Sequence, residues 1–472
     1  TTFNKGLIGK LAEWTKDLLN EWKFTISHGT DHAGNKEPFC YFEFNDSVHP
    51  NIRFLHFDML PKVLGNIEYN GLVDQQEHYT LLSQIIQKTK EDLKISTSRH
   101  DDILNPDFLL EEYHRVIYGL KVGIANSEDT YLNITRKGRG NNPSLPRNSD
   151  RRRWVFRCLQ EYALEIHRRN IQSFTLRRQY FHSKLKNRVV RPMYDYILVD
   201  EFQDCTEADF EIFYMLIKDP NKFTIAGDLA QAIHLGTAAR LPRDARMNTR
   251  KIHRLERSYR LPVRISECIK GLSNALVRRF ANDEGVTDIV PYKNSPPGSR
   301  PIVVYGSSTS ELANKVRDIF NIYKIYGLNR ITILEKDFEL QNEISLLGIS
   351  CETDTILSLK GLEKECVLWS TSRPLEFEKE VFEFSYTIVT RTSCLLIIAL
   401  TEHTQYVYKP ILGLLDPERL IMWDDETNQK FHTFCEKCEV EPVIDEVGYD
   451  MIDMNEDVLS VSDSEASPVD RS

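Results

Sequence analysis

The chain has 472 residues, 41% of them hydrophobic, which is enough for two or three domains with cores of their own. Its longest apolar run, Cys394 to Leu400, falls far short of the about 20 residues that a membrane-spanning helix needs, so no membrane-embedded role is expected. The net charge of −10 is unevenly spread. Residues 441–472 hold ten acids against one base, whereas residues 136–191 hold sixteen Lys and Arg against Asp150, Glu161 and Glu165. An acidic total therefore does not exclude nucleic acid, because binding follows the local cluster of phosphate-neutralising bases.

In chain order, residues 7–22 (LIGKLAEWTKDLLNEW) space their apolar positions by three and four, the pattern of an amphipathic helix. Residues 28–38 are rich in Gly, Asp and Asn and read as a loop, and 52–57 (IRFLHF) reads as a short strand. From about 60 to 190 the pattern is helical, broken by a Gly/Pro/Asn-rich loop at 138–149. Strand-like runs then appear at 196–199, 223–226, 301–305, 331–334, 366–370 and 394–400, with helical stretches between them. That alternation predicts parallel sheets covered by helices. The PPG at 296–298 marks a boundary or a turn, and the acidic, Ser-rich stretch after about 440 reads as disordered. The nine cysteines are scattered, as free thiols are in a reducing compartment, and the lone CxxC (Cys435, Cys438) reads as ordinary thiols rather than zinc ligands.

The most informative stretch is "YILVDEFQDCTEADF", residues 196–210. An apolar run ends in two acids, and Asp204 follows. A buried parallel strand ends at the carboxyl edge of its sheet, where ligands bind in open α/β folds. There Asp200 can hold Mg²⁺ together with phosphate oxygens, and Glu201 can orient or deprotonate a water. A bare acid pair would be read as a helix N-cap. This one is followed by "FTIAGDLAQAIH", a second apolar run that ends in Gly227-Asp228 and then Gln231.

This ordered set resembles the UvrD/Rep-like branch of superfamily 1 DNA helicases. DEFQD resembles the Walker B motif, and GDLAQAIH resembles the third motif. RLERSYRLPVRI (254–265), TILSLKGLEKECVLW (355–369) and FSYTIVTRTSCLLIIAL (384–400) resemble the fourth, fifth and sixth. Residues 1–19 and "IRFLHFDML" (52–60) resemble the two motifs that follow the P-loop, so the resemblance spans most of residues 1–410. It implies two RecA-like α/β domains with a helical insertion in the first, ATP and Mg²⁺ bound between them, and translocation along single-stranded DNA or at single-strand/duplex junctions. The polarity would be 3′ to 5′. Asp200 would hold Mg²⁺ and Glu201 would be the base. Gln203 and Asp228 would border the nucleotide, and Gln231 would contact its γ-phosphate or the attacking water. Arg260 and Arg391 would reach the γ-phosphate from the second domain, an arginine role that uses permanent charge and a two-pronged grip. Tyr259 would stack on adenine, and Gly361 and Glu363 would face the ribose. Phe3, Asn4, His56, His234 and Thr355 would contact the nucleic acid.

The implied domain plan is 1–60 and 191–255 for the first RecA-like domain, 61–190 for its basic helical insertion, 256–415 for the second domain, and 416–472 for an extension with the acidic tail. That tail would dock a protein or occupy the basic segment, and the expected location is cytoplasmic, with nucleoid or nuclear association. Departures from the family's pattern also matter. No stretch reads GxxxxGK[ST], so a P-loop unit is expected upstream of residue 1, and the chain by itself is expected to hydrolyse ATP feebly or not at all. Only about 95 residues separate Arg260 from Thr355, too few for a large second insertion. Leu357 stands where the fifth motif usually has His, His234 replaces the third motif's aromatic, and Gly236 and Thr237 replace an aromatic–Arg pair. Strong duplex unwinding is therefore not expected. The alternative is a non-hydrolysing nucleic-acid-binding or docking protein that kept the fold.

Overall fold

The computed structural model describes residues 5–19, 21, 23–30, 36–44, 51–67, 75–95, 100–119, 128–134, 145–228, 231, 253, 255, 257–258, 261–279, 290–335, 337–359, 362–373 and 381–436. Phe3, Asn4, His234, Gly236, Thr237, Tyr259, Arg260, Gly361, Cys438 and the acidic tail lie outside these residues. So does most of the 138–149 loop.

Helix α1 (Lys5–Leu18) lies on an antiparallel sheet of β1 (Phe24–Thr30), β2 (Lys36–Phe44) and β3 (Ile52–Leu55). Ala12 on α1 packs with Cys40, Phe42 and Phe44 of β2. Residues 28–30 and 36–38, read from sequence as part of a loop, are strand. His28 pairs with Cys40 and Thr30 with Lys36, with a register shift between them. The Gly that suggested a loop serves a close cross-strand approach instead. A Cβ on Gly29 would lie 1.9 Å from the Phe39 ring.

Helices α2 (Leu60–Gly65), α3 (Gln75–Asp92), α4 (Pro106–Glu112), α5 (Glu128–Asn133), α6 (Asp150–Arg168) and α7 (Phe174–Lys186) follow. Helices α3, α4 and α6 surround a core that includes Leu82, Leu109, Val116, Val155 and Leu159. A π-helical turn at Tyr113–Tyr118 continues α4. Several arginines of the basic segment are structural. Arg152 is buried and donates to the carbonyls of Tyr131 (2.9 Å), Leu132 (3.0 Å), Ile134 (2.8 Å) and Leu145 (2.9 Å), closing the open end of α5. Arg177 and Arg178 are buried as well. Others are held by carboxylates at the surface, such as Arg153 by Asp150, Arg157 by Asp92, and Arg168 and Arg169 by Glu165. The charge of this segment is thus only partly available to a phosphate backbone.

Next comes a parallel pair, β4 (Ile197–Val199) and β5 (Phe223–Ile225), with α8 (Glu207–Leu216) between them in sequence. Phe57, Phe181, Phe202, Phe210 and Phe213 form the core under them.

The second α/β unit begins with β6 (Arg257–Ser258), α9 (Val263–Cys268), α10 (Lys270–Arg279) and β7 (Val290–Pro291), where β6 and β7 pair in parallel. The PPG is a turn that closes α9. The carbonyls of Pro296 and Pro297 accept the N–H groups of Val263 (3.0 Å) and Arg264 (3.1 Å), and Gly298 has φ +65°. Then come β8 (Ile302–Gly306), α11 (Thr309–Lys324), β9 (Ile331–Leu334), α12 (Phe338–Leu346), β10 (Cys351–Asp354), α13 (Ile356–Leu359), β11 (Lys364–Ser370), α14 (Val381–Val389), β12 (Thr392–Thr401), α15 (Lys409–Leu412), β13 (Ile421–Met422) and α16 (Asp425–Glu436). The six strands run in the order β10-β9-β11-β12-β8-β13, with every pair parallel. Side chains of alternate residues go to opposite faces. Val303, Trp369, Leu396 and Ile398 meet α9, α10, α14 and α16 on one face. Ile302, Val304, Leu368 and Ile397 meet α11 and α12 on the other. Covering on both faces is what an all-parallel sheet requires. The fold is α/β with parallel sheets and helices, the class expected from the sequence.

Candidate functional site

The acid motif begins where β4 stops. The parallel ladder runs one step past the strands, with Ala226 N–H donating to Val199 O at 2.8 Å and Phe202 N–H to Ala226 O at 3.0 Å. These bonds set the turn that holds Asp200 and Glu201 at the carboxyl edge. Glu201 sits in the left-handed region, at φ 55° and ψ 43°. A non-glycine residue there costs on the order of 1 kcal/mol or more, and such strain clusters at functional sites. Behind it, Asp204 is buried, and its carbonyl accepts from Arg115 Nη1 at 2.5 Å. Cys205 is fully packed. Burial, followed by the nearby Asp209 and Asp204, pushes its thiol well above the ordinary range, so it stays neutral.

From Glu201 a chain of hydrogen bonds, one of them from the Asp228 backbone, runs into the second unit. Gln203 is buried, and its Nε2 donates to Glu201 Oε2. Its Oε1 accepts the Asp228 N–H at 3.2 Å. Gln231 Nε2 donates to Asp228 Oδ2 at 2.9 Å, and its own Oε1 accepts from Arg391 Nη2 at 2.8 Å. Arg391 is 1% exposed and also donates to the carbonyls of Thr387 (3.2 Å) and Leu362 (3.3 Å). Gly227 makes the crossing possible, because a Cβ there would lie 2.1 Å from Gln203 Oε1.

Five residues named from the sequence are therefore brought together: Glu201, Gln203, Asp228, Gln231 and Arg391. Asp200 precedes Glu201 at the strand end and is half-buried. Glu363 follows Leu362, whose carbonyl holds Arg391. Thr355 lies apart from this chain. It follows β10, where its N–H donates to Asp354 Oδ1 at 3.0 Å. His56 is also apart and is buried, with Nδ1 accepting the Asp58 N–H at 3.3 Å. Among the described residues, no group of three or more His, Cys, Asp or Glu gathers as a metal cage. The donor set nonetheless fits the terminal-phosphate end of a magnesium nucleotide, since Mg²⁺ takes one or two carboxylates and fills its remaining positions with phosphate oxygen and water.

Sequence reasoning missed the polar residues behind the site: Asp58, Arg115, Arg178 and Asp209. Arg115 and Arg178 belong to helical stretches with no motif of their own. Only the i to i+3 spacing of Thr206 and Asp209, a capping box, was open to being read from sequence.

Acids at a strand end, an amide beyond the next strand and an arginine from a second parallel-sheet unit thus meet in one hydrogen-bonded chain. Residues 56–239 match the family model of the UvrD/REP helicase N-terminal domain. Over those residues the chain is similar to UvrD-like helicases. It is 25% identical over 288 residues to a probable DNA helicase II homolog of Mycoplasma capricolum subsp. capricolum, a match covering 58% of this chain and 33% of that protein. It is 29% identical over 196 residues to the human TPR and ankyrin repeat-containing protein 1, covering 36% of this chain and 6% of that one. The chain thus spans a third or less of the length of these relatives. Among solved structures it is similar to the C-terminal domain of a possible DNA helicase from Lactobacillus plantarum WCFS1, at 15% identity and a TM-score of 0.26, covering 35% of this chain and 99% of that one.

Proposed function

We propose that this chain belongs to an ATP-driven motor that moves along single-stranded DNA, 3′ to 5′, with nucleotide held between its two parallel-sheet units. The observation that carries the proposal is the continuous link Glu201–Gln203–Asp228–Gln231–Arg391. It joins the acids of one unit to the arginine of the other through two amides. Mg²⁺ and ATP, when bound, would supply the phosphoryl group and the charge that neutralises its oxygens. Asp200 would be the metal's carboxylate. Glu201, already held by Gln203, would orient a water and accept its proton. Arg391 would leave the Gln231 oxygen for a phosphate oxygen, so closure of the units and chemistry would go together. Arg260, Tyr259, Gly361 and Glu363 would complete the nucleotide's surroundings. Phe3, Asn4, His56, His234 and Thr355 would line the DNA path, with the aromatics as stacking platforms.

The domain plan is part of the same proposal: 1–60 with 191–255, the insertion 61–190, the second domain 256–415 and the extension from 416. So are a partner for the acidic tail and a role in DNA repair.

A second reading is favoured by one observation. No GxxxxGK[ST] occurs among the 472 residues, so the cradle for the inner phosphates is not among them. On that reading the fold binds nucleic acid or docks a partner without hydrolysis. The test is anisotropy of a labelled sixteen-nucleotide oligo-dT across a salt series, run beside an ATPase assay. We expect binding whose logarithm falls linearly with log salt, as counterion release requires, and turnover close to zero for these residues alone. An oligonucleotide that does not bind at any salt contradicts the motor and leaves only partner docking of the second reading, and clear ATP turnover contradicts the second.

A further inference from the structure

Arg178 occupies a buried crossing point behind the acid motif that no sequence motif marks. Its Nε donates to Asp58 Oδ1 at 3.0 Å, and Nη2 donates to the same oxygen. Its Nη1 lies 3.7 Å from Asp209 Oδ1 and 3.3 Å from His114 Nε2. A guanidinium only donates, so His114 accepts at Nε2 and, when neutral, carries its proton at Nδ1, which faces Thr175 Oγ1 at 2.9 Å. The Arg178 guanidinium also lies over the Phe57 ring, 4.5 Å from its centroid. Burial opposes its charge, but the Asp58 and Asp209 carboxylates outweigh that cost and keep it protonated.

The three partners belong to three different parts of the molecule. Asp58 is in the turn that starts at His56, whose Nδ1 lies 3.6 Å from Asp58 Oδ2. Asp209 is in the first turn of α8, the helix that follows the acid motif. There its Oδ2 accepts the Thr206 N–H at 2.8 Å and its Oδ1 accepts from Tyr118 Oη at 3.4 Å. His114 and Tyr118 both lie in the π-helical turn, with their rings stacked at 5.9 Å. The carbonyl of Gly119, just after that turn, accepts the Ala208 N–H of α8 at 3.1 Å. The same turn supplies Arg115 to the Asp204 carbonyl at 2.5 Å. A π-turn advances side chains differently from an α-turn, and here Arg115 and Tyr118 reach the acid motif and its helix while His114 reaches Arg178.

We infer that Arg178 is a positioning residue that transmits engagement of a single strand at the His56 turn to the acid motif, through a two-pronged guanidinium bridge from Asp58 to Asp209. This rests on the proposed reading of His56 as a nucleic-acid contact. Arg178 and Asp209 are buried, and Nη1 faces Asp209 Oδ1 at ion-pair distance, 3.7 Å, so a shift of the His56 turn that moves Asp58 is felt across the guanidinium. Arg178 cannot follow Asp58 without moving relative to Asp209, and Asp209 caps the helix whose preceding turn holds Glu201.

The test is amide hydrogen exchange on the whole chain, with and without saturating sixteen-nucleotide oligo-dT. In the unsubstituted protein we expect the oligonucleotide to slow exchange several-fold both at 52–60 and at 200–216. The double variant Asp58→Asn/Arg178→Met removes the bridge without leaving Asp58 charged, and Asp209 keeps its bonds from Thr206 and Tyr118. It should bind the oligonucleotide within about threefold of the original and keep the slowing at 52–60, but lose it at 200–216. Arg178→Lys, which keeps the charge but not the fork, should lose it too while melting within a few degrees of the original. Retained slowing at 200–216 in either variant overturns the bridge. So does loss of slowing at both places, which marks a merely structural role. If the unsubstituted protein binds no oligonucleotide, the reading of His56 itself fails.

Discussion

The two α/β units are held together by different physics. In the second, strands β8, β9 and β12 are sealed between helix layers, and Trp369, Ile398 and Val303 are completely buried. In the first, among the described residues, the pair β4–β5 is packed on one side, with Ile197 and Val199 buried and Leu198 65% exposed. Yet the acid cluster sits on this thinner sheet, and its geometry comes from polar contacts: the Gln203 bridge, the Arg115 hold on Asp204 and the Arg178 crossing. Apolar packing makes a unit stable. Directional bonds place a carboxylate to within a fraction of an ångström, and strain at Glu201 is tolerated because those bonds over-determine it.

Substitutions can break this contrast, and the largest effect belongs to the sealed sheet. Trp369→Ala should cost about 3–5 kcal/mol in urea unfolding, whereas Leu198→Ala should stay within about 0.5 kcal/mol. Equal effects would mean that the two sheets are not differently covered. Next is Gly227→Ala. Its new Cβ would meet both Gln203 Oε1 and the Phe202 ring, so we expect a loss of about 1–3 kcal/mol together with disruption of the Glu201–Gln203 contact. An unchanged melting curve would contradict the close crossing. A smaller effect is expected at Glu201. Glu201→Gly relieves the left-handed backbone but takes the Glu201 carboxylate from the buried Gln203 amide, so the two should offset and leave stability within about 1 kcal/mol of the original while removing the proposed base, and a loss above about 3 kcal/mol would show that the backbone gains nothing from the glycine.

The smallest effect is a pH dependence in the second unit. Burial alone would raise the Asp337 carboxyl, but Arg373, the Ser370 hydroxyl and the Leu340 N–H outweigh it and hold it below its ordinary value. A lowered folded value contributes stability that is complete above the unfolded value of about 3.9 and is lost as the pH falls through the folded one. Asp337→Asn should therefore flatten the acid side of the stability curve below about pH 4 and leave its slope at neutral pH alone. An acid limb identical to the original would remove this contribution.

The contrast also explains what could be read in advance. The apolar runs at 301–305, 331–334, 366–370 and 394–400 announce β8, β9, β11 and β12, because a doubly covered parallel strand has to be apolar throughout. Strand β10 has the sequence Cys-Glu-Thr-Asp and no apolar run; it lies at the sheet edge with all four residues half-buried, so nothing announced it. Residues 28–30 were hidden by a glycine that serves strand packing rather than a turn. Glu201, Gln231 and Arg391 were singled out by the order of motifs, and the structure links them although Gln231 and Arg391 are 160 residues apart. Arg178 and Asp58, 120 residues apart, belong to no repeated spacing. Arg178 was also masked by its setting, one arginine in a basic run that composition alone presents as surface charge.

The most direct test of the account is single-stranded-DNA-stimulated ATP hydrolysis by the complete product of the gene, with Glu201→Gln measured beside it. The account predicts strong stimulation that the substitution abolishes while leaving oligonucleotide binding intact. Binding without stimulated hydrolysis, or hydrolysis that survives Glu201→Gln, would contradict it and would leave the acids at the end of β4 without a chemical task.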